Sequence, residues 1–277
     1  MTVYLREDIA ALWSGRDPMQ EAFSLEGEIY RNVARRKTLR VSIGGKYYFV
    51  KLHFGVGWVE VFKNWLQLKR PVLGAENEYQ ACRDLAATGL AAPLAAAYGM
   101  AAGSLASRRS FVLCDELTGR ASLEDVTERW PEQGVDPLLR LRMLKAVAEF
   151  ARAFHGHGFI HRDFYICHLL THEKKLDDGQ FDLAVLDLHR ARRFDVIPRM
   201  WLKRDLAALL FSTLDLGYTR RDWLRFIHLY TGRPLREELA EREDLWASVL
   251  QRAEKLYNEG LRKGLVKGLY KPSGSRG

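Results

Sequence analysis

A carboxylate on a His-Arg-Asp loop can orient a hydroxyl and take its proton. Residues 161–170, His-Arg-Asp-Phe-Tyr-Ile-Cys-His-Leu-Leu, supply such a group in Asp163, and His168, a candidate metal ligand, follows five residues later. A second carboxylate, Asp187, ends the apolar, strand-like run 181–186, twenty-four residues beyond Asp163. One acid to handle the acceptor proton and another to hold the metal that bridges the phosphates is the arrangement phosphoryl transfer requires. The triplet alone also occurs by chance in basic proteins, so this chemistry demands two more residues upstream: a lysine on a strand and a glutamate on a helix.

Residues 38–43 and 46–51 read as strands joined by Gly44-Gly45, a two-residue turn suited to a tight hairpin. Period-two alternation puts Tyr47, Phe49 and Lys51 on one face and Tyr48, Val50 and Leu52 on the other. Lys51 then either snorkels from the sheet or reaches into a nucleotide site. Helical periodicity follows over 75–87, closed by Gly89, with Ala75, Glu78, Cys82 and Leu85 on one stripe. An acid on an apolar stripe is costly without a partner, and Lys51 is the natural one. Glu76 becomes the solvated neighbour, although a slip of the helix boundary would exchange the two.

The chain of 277 residues is long enough for a full core and two lobes, and 47% hydrophobic content excludes a disordered protein. A net charge of +8 favours a polyanionic partner: nucleic acid, an anionic membrane surface or a phosphorylated substrate. Nucleic acid has only the charge behind it and no recognition motif, so it is not expected. Cys82, Cys114 and Cys167 show no CxxC spacing, which suggests neither a zinc site nor a disulfide framework and fits a reducing cytoplasm. Acids near Met1 stand where a secretion signal would need an apolar core, so none is expected, and the uncharged stretch 89–107 is broken by Pro93, Gly99 and Gly103. It reads as a loop with a short strand inside, so any membrane contact must be peripheral. Residues 58–70, where Trp58, Phe62, Trp65 and Leu66 recur at helical spacing beside Lys63, Lys69 and Arg70, form either a packed helix or a segment facing lipid.

Residues 1–36 are weakly patterned, with Trp13 and Phe23 as anchors and Glu26-Gly27-Glu28 as a possible turn. Residues 110–114 form an apolar strand that ends at Asp115-Glu116 like a hinge, placing an N-terminal lobe at 1–116 and a C-terminal lobe at 117–277. Asp136-Pro137 starts a long helix whose stripe of Leu141, Leu144, Ala148, Ala151 and His155 delivers the chain into the His-Arg-Asp loop. Residues 189–193 are strongly basic, 201–216 form an apolar helix with Asp205 embedded in it, and a basic tail from Arg252 ends frayed.

With Lys51, Glu78, Asp163 and Asp187 in that order, the chain resembles the protein-kinase-like fold. It looks most similar to the lipopolysaccharide core heptose kinases, the RfaP/WaaP family. The finer resemblance is carried by Gly55-Val56-Gly57-Trp58, Lys63-Asn64, residues 73–79, the run 161–169 and Leu186-Asp187-Leu188-His189. It implies an α+β, two-lobed fold, with an antiparallel sheet and one main helix in the N-lobe and a mostly helical C-lobe. Lys51 matches the lysine that holds the α- and β-phosphates of ATP, Glu78 the glutamate that fixes it, Asp163 the catalytic aspartate and Asp187 the aspartate that binds Mg2+. His168 stands where most kinases place an asparagine as second metal ligand, and imidazole suits Mg2+ less well. No GxGxxG precedes the hairpin; the basic Arg35-Arg36-Lys37 occupies that region instead.

The implied activity is ATP-dependent phosphorylation of a heptose hydroxyl of the lipopolysaccharide inner core. The implied location is the cytoplasm, peripheral on the anionic inner face of the inner membrane. Two alternatives stay open: a sugar kinase acting on 3-deoxy-octulosonate or a small molecule, and a nucleotide-binding pseudokinase scaffold.

Overall fold

Gly44 and Gly45 lie at φ 57° and 78°, a left-handed pair that residues with a Cβ adopt reluctantly. They join strand β3 (Arg36–Ile43) to β4 (Lys46–His53), in a register running from Ile43 opposite Lys46 to Arg36 opposite His53. The alternation of β4 resolves as its side chains demand. Tyr48, Val50 and Leu52 are buried, each such burial being worth about 1.5–3 kcal/mol, so Lys51 must take the opposite face. The computed structural model describes residues 1–33, 35–55, 74–103 and 108–270, and the segment 58–70 singled out above lies outside them.

The chain divides into two compact units, Met1–Thr118 with Asp187–Ala191, and Gly119–Leu186 with Arg192–Gly277. The first is built on a six-stranded antiparallel sheet in the order β1-β5-β6-β4-β3-β2, with β1 at Thr2–Leu5, β2 at Glu28–Val33, β5 at Ala95–Met100 and β6 at Ser110–Asp115. Residues 1–36 are thus more structured than their pattern suggests. They hold β1, β2 and two short helices, α1 (Glu7–Leu12) and α2 (Pro18–Ser24). Glu28 begins β2 rather than a turn, and Gly27 is required because a Cβ there would sit 2.1 Å from the Arg40 carbonyl oxygen. Ile9 and Trp13 of the N-terminal segment close the core over Leu39, Val41, Val50, Phe111 and Leu113. Helix α3 (Glu76–Ala86) buries Glu78, Cys82 and Leu85.

The acids at the end of β6 are pinned within this unit. Arg6 bridges Asp8 and Asp115 with hydrogen bonds of 2.7–2.8 Å, and Arg40 takes Glu116 at 2.8 and 3.0 Å while stacking on Tyr47. Planar guanidinium groups suit such bidentate pairing.

The second unit is mostly helical: α4 (Leu123–Thr127), α5 (Trp130–Gln133), α6 (Pro137–Gly156), α7 (Glu173–Asp177), α8 (Arg199–Phe211), α9 (Arg220–Thr231) and α10 (Leu235–Arg262). Asp136 caps α6 by accepting from Leu138 N, with Pro137 at the first helical position. Short strands frame the loop that follows. β7 (Arg120–Ser122), β9 (Leu169–His172) and β10 (Leu183–Val185) form one sheet in the order β10-β9-β7, and β8 (Phe159–Ile160) pairs with β11 (Arg192–Arg193).

Gly158 joins α6 to β8 at φ 82°, and a Cβ there would lie 2.1 Å from the Phe194 carbonyl oxygen. Both the dihedral and the close approach exclude a side chain. Gly158→Ala is expected to destabilise the second unit by about 2–3 kcal/mol; a chemical denaturation midpoint unchanged from wild type would show that the turn tolerates a methyl group.

Candidate active site

Lys51, on the face of β4 opposite the core, is held by two carboxylates. Its ammonium donates to Glu78 Oε1 at 2.7 Å and to Asp187 Oδ1 at 2.6 Å. Burial favours the neutral amine, but the charges and hydrogen bonds of Glu78 and Asp187 outweigh it and raise the lysine well above its ordinary pKa. Glu78 is the partner because it lies on the buried stripe of α3, whereas Glu76 is exposed.

Asp187 stands at the start of a 3-10 turn (Leu188–Arg190) with left-handed backbone, φ 58°. Its Oδ1 also accepts from His189 Nδ1 at 2.9 Å. Burial pushes a carboxyl toward protonation; the His189 hydrogen bond and the Lys51 charge overcome that and hold Asp187 well below the usual carboxylate range. The aspartate is therefore ionised.

Asp163 and His168 belong to the second unit. There the loop after β8 is fixed by a buried acid, Asp205 of α8, which accepts from His161 N at 2.5 Å and Arg162 N at 2.7 Å. Arg162 pays for this geometry with φ 74°, and its guanidinium lies 4.7 Å from the ring centre of Trp201. Among the described residues, Arg162 and Asp187 are the two non-glycine positions at positive φ, and both sit in the loops singled out by their chemistry. His168 Nδ1 donates to the Asp163 carbonyl at 2.7 Å, and its ring stacks on His161 at 5.3 Å. His161 Nε2 donates to the carbonyl of Leu186, the residue before Asp187. Phe164 is fully buried against Phe154, which anchors the loop to α6.

Asp205 appears in the sequence only as an acid embedded in an apolar helix, and that cost is the signal of its role: two loop amides need a buried acceptor. His53 carries no such signal. Burial, together with the nearby positive charges of Arg36 and Lys51 and the His189 ring, lowers its pKa to about 4. The folded state thus holds a neutral imidazole whose contribution is present above the ordinary pKa near 6.5 and is lost as pH falls toward 4. Urea unfolding at pH 7 and at pH 4.5 should show the wild type losing about 2–3 kcal/mol more than His53→Gln over that interval; equal losses would mean that His53 is not held neutral.

The profile of the lipopolysaccharide kinase (Kdo/WaaP) family matches residues 20–230. The chain is 44% identical over 265 residues to the lipopolysaccharide core heptose(I) kinase WaaP of Pseudomonas aeruginosa, covering 95% of this chain and 99% of that protein. It is 37% identical to the enzyme of the same name from Escherichia coli, covering 95% of this chain and 100% of the other. A solved structure of WaaP in complex with acyl carrier protein superposes with a TM-score of 0.80 at 41% identity, covering 93% of this chain and 100% of that one. With the profile spanning most of its length, the chain belongs to the lipopolysaccharide kinase (Kdo/WaaP) family.

Proposed function

We propose that the protein is an ATP-dependent kinase that phosphorylates a hydroxyl of heptose(I) in the lipopolysaccharide inner core. The observation that carries this reading is the Lys51 ammonium held between Glu78 and Asp187, in a chain so similar to enzymes named heptose(I) kinases. We assign nucleotide binding to the lobe comprising 1–116 and acceptor activation to 117–277.

Lys51, kept cationic and aimed by Glu78, neutralises phosphate oxygens of ATP. Asp163 orients the heptose hydroxyl and takes its proton as the hydroxyl oxygen bonds to the γ-phosphorus and the bond to the β,γ-bridging oxygen breaks. Among the described residues no group of three or more His, Cys, Asp or Glu could hold a metal ion. A cation shared between one carboxylate and substrate phosphates needs no such cage, and the ionised Asp187 suits Mg2+. When bound, Mg2+ offsets the charge that develops on the transferring phosphoryl group. The imidazole of His168 is the poorer ligand, and its hydrogen bond to the Asp163 carbonyl makes it chiefly a brace for the loop.

We also propose a peripheral association with the anionic cytoplasmic face of the inner membrane. It is supported by the net charge of +8 and by exposed Leu261, Leu265 and Leu269 interleaved with Arg262 and Lys263. None of the described helices is long and apolar enough to cross a membrane. An acyl carrier protein is a second proposed partner, on the strength of the solved WaaP complex and of a cavity of about 800 Å³ in the second unit. Its lining includes Met143, Val147, Leu209, Leu210 and Phe226, apolar enough for an acyl chain. Co-elution with acylated carrier protein but not with the unacylated form is the expected result.

Purified protein incubated with labelled ATP and core lipopolysaccharide should transfer label to the sugar. Asp163→Ala and Asp187→Ala should each cut turnover by about 10² to 10⁴ with an unchanged circular dichroism spectrum; near wild-type turnover in either would sink the kinase reading. In a double-mutant cycle, adding Glu78→Gln to Lys51→Met should cost little further activity, because the glutamate acts through the lysine. Additive losses would separate their roles.

A further inference from the structure

The first turn of α3 carries two consecutive residues with different targets. Glu78 takes the Lys51 ammonium, while Asn77 donates both hydrogens of its side-chain amide to backbone carbonyls, those of His189 and Ala191, each at 2.8 Å. Carbonyls only accept, so the amide nitrogen has to face them and the partners fix the side chain's orientation. These two carbonyls lie at the end of the short turn that begins at Asp187. Asp187 holds its left-handed backbone without being glycine, a conformation that persists only where its surroundings over-determine it. Lys51 and His189 fix its carboxylate. Asn77 fixes the backbone beyond it, from the same helical turn that aims the lysine.

We propose that Asn77 is a positioning residue that sets how well the Asp187 carboxylate receives the divalent cation accompanying the nucleotide phosphates. The proposal rests on the kinase reading above. One turn of α3 then fixes both charges that meet the triphosphate: the lysine directly through Glu78, and the aspartate through the main chain clamped by Asn77. A partner that orients a ligating carboxylate from behind is commonly as important to metal affinity as the ligand's own geometry.

Calorimetric titration of the whole protein with ADP, in the presence and absence of Mg2+, tests the assignment without relying on turnover. Wild type is expected to bind ADP more tightly when Mg2+ is present. Asn77→Ala should lose about tenfold of that Mg2+-dependent gain while its Mg2+-free ADP affinity stays within about twofold. Asn77→Asp keeps the shape but removes the donors and turns a carboxylate toward two carbonyls, so it should lose at least as much. Amide hydrogen exchange over 187–191 should quicken in both variants, with exchange in β3 to β6 unchanged. A Mg2+-dependent gain that survives Asn77→Ala overturns the proposal. So does an equal loss of ADP affinity with and without Mg2+, which would mark a general structural role. A wild type that binds ADP no better with Mg2+ than without overturns the kinase reading itself, and this proposal with it.

Discussion

An ammonium largely withdrawn from water is the constraint on which the first unit depends. The core face of β4 is filled by Tyr48, Val50 and Leu52, so the chain places Lys51 on the other side with most of its side chain withdrawn from water. A withdrawn cation is tolerated only with carboxylates in contact. Glu78 and Asp187 meet it from two separate stretches of chain, and each was drawn in by its own local chemistry. Glu78 rides the apolar stripe of α3, and Asp187 ends an apolar strand in a left-handed turn. The residues 187–191 pack with the first unit although the chain on both sides of them belongs to the second. The ion pair and the Asn77 clamp give that short segment its reason to do so.

The loop that carries Asp163 is solved by the opposite means. There a buried anion, Asp205, accepts from the two consecutive main-chain N–H groups of His161 and Arg162. The positive φ of Arg162 and that of Asp187 are each held by several contacts at once, which is how such strain survives. His168 adds a further hydrogen bond to the same loop, from its Nδ1 to the Asp163 carbonyl.

What could be read from the sequence was whatever local rules decide. Gly44-Gly45 announced the hairpin because the turn needs two left-handed residues, and Asp136-Pro137 announced α6 through its cap. Glu78 could be preferred over Glu76 because burial along α3 follows a helical period. Other elements had no such signature. Strand β2 is exposed along its whole length, so no alternation marks it, and β1, α1 and α2 are each too short to build a period. Helix α9 does start from a capping box between Thr219 and Asp222, a cue easily passed over because its acid is aspartate rather than glutamate. Asn77 was out of reach for a different reason: its partners are main-chain carbonyls, which every residue possesses, so no residue type at His189 or Ala191 betrays them.

Charge is sorted by depth as well as by position. Among the described residues four acids, Glu78, Asp205, Asp222 and Glu238, are buried, and no lysine or arginine is. Acids are short and can be satisfied by main-chain N–H groups or a single cation, whereas the long stems of arginine and lysine let their heads reach water, an option Lys51 gives up for its two carboxylates. The exposed part of the described residues is consequently more basic than their composition alone. Two ranges of electrostatics then operate without interfering. The basic exterior attracts anionic molecules over roughly a Debye length, about 8 Å at physiological salt. At shorter range, the contacts of 2.6–2.7 Å around Lys51 are ones that salt screens little. An enzyme whose nucleotide and acceptor are both polyanions needs the first property for capture and the second for discrimination. Burying acids while exposing bases gives one chain both.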